Sequence, residues 1–272
     1  MRIGVSTCLL GDNVRYDGGH KLDHFIRDVL GLLVEFVPVC PEFEAGFGIP
    51  REALRLVGDP ASPRMITQKS GVDVTDRMKA WIDGRLRELG KLDLCGFIFK
   101  SNSPSSGMER VKVYDGRGNA RKVGSGLFAA AFMERFPVVP VEEEGRLHDI
   151  HLRENFIVRV FALRRWKDLR SVGGGRRELM SFHARHKYLL MAHSPSMLKK
   201  MGILVAHAKE TPKGELMDRY ESLFMEALRL RATVRKNVNV LTHMAGYFKK
   251  LLDPGDKGEL LEVIDQYGRE LI

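Results

Sequence analysis

The chain of 272 residues has no run approaching the ~20 unbroken apolar residues that a bilayer-spanning helix requires. Its N-terminus, MRIGVSTCLL, lacks the cleavage pattern of a secretory signal and reads as a strand. A cytoplasmic protein with no membrane partner is expected. Cysteine is scarce: Cys8, Cys40 and Cys95 are odd in number and far apart. In a reducing compartment this argues against a disulfide framework and for thiols or metal ligands. There is no G-x-G-x-x-G fingerprint for a flavin or nicotinamide. Internal repeats and low-complexity tracts are also missing; the run Gly173-Gly174-Gly175 is only a flexible break.

What is present describes a globular protein, with 44% apolar and 29% charged residues. The length suits two domains, each able to bury its own core. Charge divides them. Residues 1–150 carry 21 Lys and Arg against 21 Asp and Glu, whereas residues 151–250 carry 21 basic against 8 acidic side chains. A neutral half joined to a basic half points to one that does chemistry and one that holds a polyanion, or to a basic surface that is merely solvated.

The first half alternates apolar runs with helical patterns, predicting an α/β, Rossmann-like, mostly parallel sheet with crossover helices. Strands are expected at Arg2–Ser6, Glu35–Val39, Cys95–Lys100, Arg110–Tyr114 and Pro137–Val141, with helices at His24–Leu33, Thr75–Leu92 and Gly126–Phe136. Gly124, Ser125 and Gly126 before the last helix form either a tight turn or a weak anion-binding signal. After Glu142-Glu143-Glu144-Gly145 only helical spacing remains, so an all-α domain of about five helices is expected over 149–272, following an α/β domain over 1–148. Pro195, Pro212 and Pro254 mark helix starts or turns.

Cys8 follows the first strand and Cys40 the second, so both fall at the carboxyl ends of parallel strands, where open α/β folds carry their sites. Two such cysteines are equally consistent with metal ligation and with small apolar packing. Cys95 begins its strand, ~16 Å from that edge at ~3.3 Å per residue, and reads as packing. The hydroxyl-rich loop Lys100-Ser101-Asn102-Ser103-Pro104-Ser105-Ser106-Gly107 must face the same crevice. Glu42 is either a general acid or base, if burial raises its pKa, or an exposed loop carboxylate. His183, His186 and His193 lie near one predicted helix face and read as core or RNA-facing groups rather than metal ligands.

The run VSTCLLGDNVRYDGG, the PVCPE segment followed by GIPRE, and the KSNSPSSG loop together resemble the thiouracil desulfidase family over about residues 1–145. LRENF, SFHARHKYLLMAHSP and NVLTHMAGYFK resemble the helical domain fused to it in the tRNA 4-thiouridine desulfidase branch. The resemblance implies a 4Fe-4S cluster held by three protein ligands, with one iron open to the substrate's sulfur. Cys8 and Cys40 match the first two ligands, Glu42 the acid/base and Ser103 a hydroxyl beside the substrate. The third ligand is expected as cysteine in SPSCG or SPTCG, and this chain has Ser106 there. Water assisted by Glu42 would attack the ring carbon without net redox change. The partner implied is thiolated tRNA, gripped through candidates Arg176, Arg177, Lys187, Lys199, Lys200, Arg235, Lys236, Lys249 and Lys250. Rival expectations are a desulfidase of free thiouracil and a non-catalytic nucleic-acid-binding or sensing protein, the latter kept open by Ser106.

Overall fold

The computed structural model describes residues 1–272. Its order is β1 (Arg2–Ser6), β2 (Glu35–Val39), β3 (Leu54–Val57), β4 (Arg64–Thr67), α1 (Thr75–Leu89), β5 (Leu94–Phe99), β6 (Val111–Tyr114), β7 (Ala120–Gly124), α2 (Leu127–Arg135), β8 (Val141–Glu143) and then helices alone. These are α3 (Ile150–Ser171), α4 (Arg176–Arg185), α5 (Lys187–His193), α6 (Pro195–Ala206), α7 (Lys213–Arg229), α8 (Val234–Phe248) and α9 (Pro254–Gly268). The chain forms two compact units, Met1–Arg164 and Arg165–Ile272. The division falls within α3, because Phe156 and Val160 from its first half belong to the same buried cluster as Ile3, Val5 and Cys95.

In the first unit, β2, β1, β5 and β8 make a sheet in that order, every pair parallel. All six residues of β5, LCGFIF, are buried, as expected of a strand covered on both faces. Phe97 and Phe99 stack with ring centroids 4.3 Å apart, and Phe132 of α2 lies 4.8 Å from Phe97, so the helix seats on aromatic surface. A second sheet, ordered β4, β3, β6, β7, mixes one parallel pair with two antiparallel pairs.

Three expectations for this unit are corrected. The strand at Arg110–Tyr114 forms as β6 but joins the second sheet, where Val111 and Val113 are buried while Lys112 points to solvent. The strand expected at Pro137–Val141 is displaced to Val141–Glu143, because Pro137 and Pro140 cannot donate to a ladder. The helix expected over His24–Leu33 resolves into a π turn at Phe25–Val29 and a 3-10 turn at Leu30–Leu32, and is not propagated as an α-helix.

The second unit packs around Trp166, Phe182, Tyr220 and Phe224, with Trp166 stacked on Tyr220 at 5.0 Å and edge-on to Phe182 at 5.2 Å. Its helices begin where the sequence supplies caps: Ser194 accepts the Met197 amide ahead of Pro195, and Asp253 accepts the Gly255 and Asp256 amides ahead of Pro254. These caps cut the helical region more finely than the expected five. One break falls at His186, so His183, His186 and His193 occupy the end of α4, the junction and the end of α5 instead of one helix face.

The N-terminus of α2 fixes the serine loop. The amides of Leu127 and Phe128 donate to the carbonyls of Pro104 and Ser105, and Gly126 donates to Gly107. These are the donors that an anion would have needed, so the weak anion signal at Gly124-Ser125-Gly126 is resolved as a close turn. A Cβ on Gly126 would lie 2.4 Å from the Ser105 carbonyl carbon. Gly126→Ala is therefore expected to lower stability by about 1–3 kcal/mol, the usual cost of overpacking, in a urea titration. An unchanged midpoint would contradict the close approach.

Candidate functional site

The ladder register sets the site. Ser6 pairs with Val39, so the chains leaving β1 and β2 emerge side by side, Cys8 in the 3-10 turn Thr7–Leu10 and Cys40 immediately after β2. The third exit is tied to the first, since the Lys100 amide donates to the Ser6 hydroxyl at 2.9 Å. A cavity of about 270 Å3 opens between these exits, and Cys8, Cys40, Glu42, Ser103 and Ser106 all line it. Cys95 is fully buried at the start of β5 and does not line it. No group of three or more His, Cys, Asp or Glu suited to a metal ion exists in the chain. The soft donors of the cavity are thus two thiols, with the Ser106 hydroxyl as a further oxygen donor.

The Cys40 thiol donates to the Val14 carbonyl at 3.7 Å, while its amide is held by Glu44 at 2.7 Å. Burial pushes the Cys8 thiol up to about 11, the neighbouring Cys40 adding to the rise and Lys100 and Arg15 opposing it. Burial likewise raises Cys40, against the Phe43 amide that favours its thiolate. At neutral pH both are thiols, and a bound cation would draw them to thiolates with release of protons.

Glu42 is not an exposed loop carboxylate. Its side chain is 12% exposed and lies against Arg51, 5% exposed, whose Nε and Nη2 both donate to Oε2 at 3.1 and 2.8 Å. Arg51 Nη1 donates to the carbonyls of Val14 and Gly48, each at 3.0 Å, so the guanidinium also ties the segment after β1 to the segment after β2. The other oxygen, Oε1, accepts the Ser105 hydroxyl at 2.9 Å. Of the roughly four lone pairs on a carboxylate, three are engaged, and the one remaining belongs to Oε1.

A count of protons assigns the serines. Ser105 gives its single hydroxyl proton to Glu42, so the 3.0 Å contact between Ser103 and Ser105 must be donated by Ser103. Ser103 also accepts the amides of Ser105 and Ser106 at 3.3 and 3.1 Å. Its hydroxyl is therefore used in shaping the loop, and Ser105 is the one that touches the carboxylate. Ser106 is 3% exposed, and its hydroxyl takes no part in these bonds. Lys100 forms a second ion pair at the cavity, its ammonium on Glu144, whose other oxygen holds the Ser101 amide at 2.7 Å. Sequence reasoning missed Arg51, Ser105 and this pair. The GIPRE segment contained Arg51, but only loop geometry reveals what it grips.

The basic candidates separate into two groups. Arg176 donates to the carbonyls of Ala208 and Thr211, and Lys236 to those of His193 and Arg231; both fasten their own unit. Arg177, Lys199, Lys200, Arg235, Lys249 and Lys250 are exposed and Lys187 is half-buried. The histidines are structural. His186 donates from Nδ1 to the Phe182 carbonyl at 2.8 Å and accepts Arg165 Nε at Nε2, which fixes a neutral ring. His183 contacts the Tyr220 hydroxyl at 3.1 Å, and His193 donates to the Leu230 carbonyl at 2.6 Å.

Residues 3–144 match the 2-thiouracil desulfurase family, and residues 187–272 match DUF1722, a family of unknown function. The chain is 32% identical over 156 residues to the uncharacterized protein YbbK of Bacillus subtilis (strain 168), covering 54% of this chain and 97% of that one. It is 30% identical over 117 residues to the uncharacterized protein YbgA of Escherichia coli (strain K12), covering 43% of this chain and 69% of that one. A solved 4Fe-4S-dependent thiouracil desulfidase, TudS, aligns with a TM-score of 0.45 and 30% identity over 56% of this chain and 96% of its own.

In metal-free protein, alkylation of Cys8 by iodoacetamide at pH 8 should run about a hundred-fold below that of a free cysteine, whose pKa is ~8.5. The rate should keep climbing toward pH 11, because the neutral thiol persists below its pKa. A plateau near pH 9 would contradict the assignment.

Proposed function

Because the chain belongs to the 2-thiouracil desulfurase family, we propose that it is a non-redox, iron–sulfur-dependent desulfidase that converts 4-thiouridine in tRNA to uridine. The observation that carries this reading is the convergence of Cys8, Cys40, Ser106 and the Arg51-held Glu42 on one cavity within the matched residues. A buried thiol, Cys8, and a half-buried one, Cys40, suit a 4Fe-4S cluster, and Ser106 offers a harder, oxygen donor as the third ligand. When bound, the cluster would supply a Lewis-acidic iron able to polarise the carbon–sulfur bond.

The chain's own residues do the rest. Oε1 of Glu42 accepts a proton from the water that attacks the ring carbon, and the same carboxyl can return a proton to the departing sulfide. The balance is hydrolytic: the thiocarbonyl and one water become the carbonyl and one hydrogen sulfide, with nothing oxidised or reduced. Arg51 and Ser105 hold the carboxylate so that its remaining lone pair stays directed at the cavity. The exposed cations of the second unit support a tRNA substrate, since phosphate contacts need no sequence-specific geometry.

Three measurements test this. Glu42→Gln keeps a side chain of the same shape on Arg51, and should leave iron and sulfide content intact while lowering turnover about 10²- to 10⁴-fold. Undiminished turnover would remove Glu42 from the chemistry. Ser106→Cys should raise iron and sulfide per chain after anaerobic purification and slow their loss in air; unchanged content would remove Ser106 from the ligand set. Binding of tRNA should weaken linearly on a log–log salt scale, by roughly 0.7–0.9 per phosphate neutralised, and desulfuration of free thiouracil without any of thiolated tRNA would reassign the substrate to the free base.

A further inference from the structure

The helical unit carries an exposed aromatic group that the desulfidase chemistry does not use. Tyr188 at the start of α5 meets His243 of α8 with ring centroids 5.9 Å apart, and His243 meets Tyr247, one turn on, at 5.8 Å and nearly edge-on. The Tyr188 and Tyr247 hydroxyls face each other, which keeps the three rings in one assembly. Tyr247 is nevertheless 62% exposed. At this junction of two helices Tyr188 is half-buried, whereas His243 and Tyr247 are exposed.

Beside them α8 opens an elongated depression lined by Asn239, Thr242, His243, Gly246 and Tyr247. Gly246 sits in the last turn of this helix, two residues before its end at Phe248. No packing demand explains it, because a Cβ there would meet nothing within 4 Å. What the glycine does is leave the floor of the depression clear next to the Tyr247 ring.

The two helices that carry the rings bear charge of one sign, while α9, which packs against α8, carries Asp256, Glu259, Glu262 and Asp265. No acidic residue occurs between Glu178 and Glu210, which bracket Tyr188, or between Glu226 and Asp253, which bracket α8. Lys187 lies 5.7 Å from the Tyr188 ring centroid. Arg235 lies one turn before Asn239 on α8, and Lys249 and Lys250 follow its last residue, Phe248. Flat aromatic rings carried on two cationic helices complement a ligand that is planar and anionic at once, as an unpaired base on a phosphate backbone is.

We propose that Tyr188, His243 and Tyr247, with the clearing at Gly246, form a stacking platform for an unpaired base of a single-stranded RNA segment, such as a tRNA loop. This rests on the reading that the chain acts on tRNA and adds where, and to which part of it, the helical unit attaches. Sequence preference at the platform is weak, since every base offers a π face and the rings offer few directed donors.

Fluorescence anisotropy of the full chain tests it, using a labelled single-stranded RNA 12-mer, a blunt RNA duplex of equal length and intact tRNA. Tyr247→Ala should weaken binding of the 12-mer and of tRNA about ten-fold, and Tyr247→Phe should restore it to within about two-fold. Gly246→Leu should keep or raise the melting temperature, since the position is open and leucine favours helix, yet weaken the 12-mer about as much as Tyr247→Ala. Duplex binding should be unaffected by all three. Equal affinity of Tyr247→Ala and wild type for the 12-mer, equal losses on single strand and duplex, or no RNA binding by the wild type would each overturn the platform. So would self-association of the wild type that Tyr247→Ala abolishes, which would assign the face to a second copy of the chain. Iron and sulfide content, followed in the same preparations, should be unchanged by the three variants. Failure of the wild type to release sulfide from thiolated tRNA would sink the desulfidase reading while leaving the RNA comparison readable.

Discussion

The pairing of Ser6 with Val39 in a parallel ladder is the constraint from which the site follows. Parallel strands leave a sheet on the same side, so register alone decides which residues meet beyond its edge. With this register Cys8 and Cys40 leave neighbouring strands and meet on one cavity despite 32 positions of sequence between them. The Ser6 hydroxyl then captures the amide of Lys100 and brings in the third loop. That loop is shaped from the other side by α2, whose first amides take its carbonyls. The donors and acceptors of the cavity are thus held by a buried sheet and a capped helix, not by the loops alone.

Electrostatics completes the arrangement. A carboxylate removed from water is costly unless its lone pairs are satisfied. Here Arg51 spends four of its five N–H groups on Glu42 and on two backbone carbonyls. The same contacts that compensate burial also remove the carboxylate's freedom to rotate. Ser105 takes one lone pair of Oε1 and leaves the other open. The cavity therefore contains two thiols kept protonated by burial and one oriented carboxylate, a set that changes character once a cation enters and the thiols ionise.

Much of this was legible in the sequence, for identifiable reasons. β1 and β5 are short apolar runs bounded by turn residues, and a run buried on both faces cannot be mistaken for a solvated element; β2, at the sheet edge, is a weaker signal of the same kind. Placing Cys8 and Cys40 at strand ends followed from that reading. The alternation Val111, Lys112, Val113 carried a signal for β6 in a sheet exposed on one face, but pattern does not reveal which sheet a strand joins. Arg51 and Ser105 were beyond reach, since their roles depend on how two irregular segments fold against each other. In the second unit the periodicity of α7 was plain, while the break at His186 was hidden because a histidine does not interrupt a hydrophobic stripe.

The central claim is that water replaces sulfur on a thiolated uracil without redox chemistry. It is tested most directly by single-turnover reaction of the anaerobically purified protein with 4-thiouridine-containing tRNA in oxygen-18-labelled water, with mass spectrometry of the nucleoside and assay of sulfide. The account predicts one labelled oxygen per uridine formed and one sulfide released for each. Uridine without the label, sulfur lost without sulfide, or dependence on an added oxidant or reductant would contradict it.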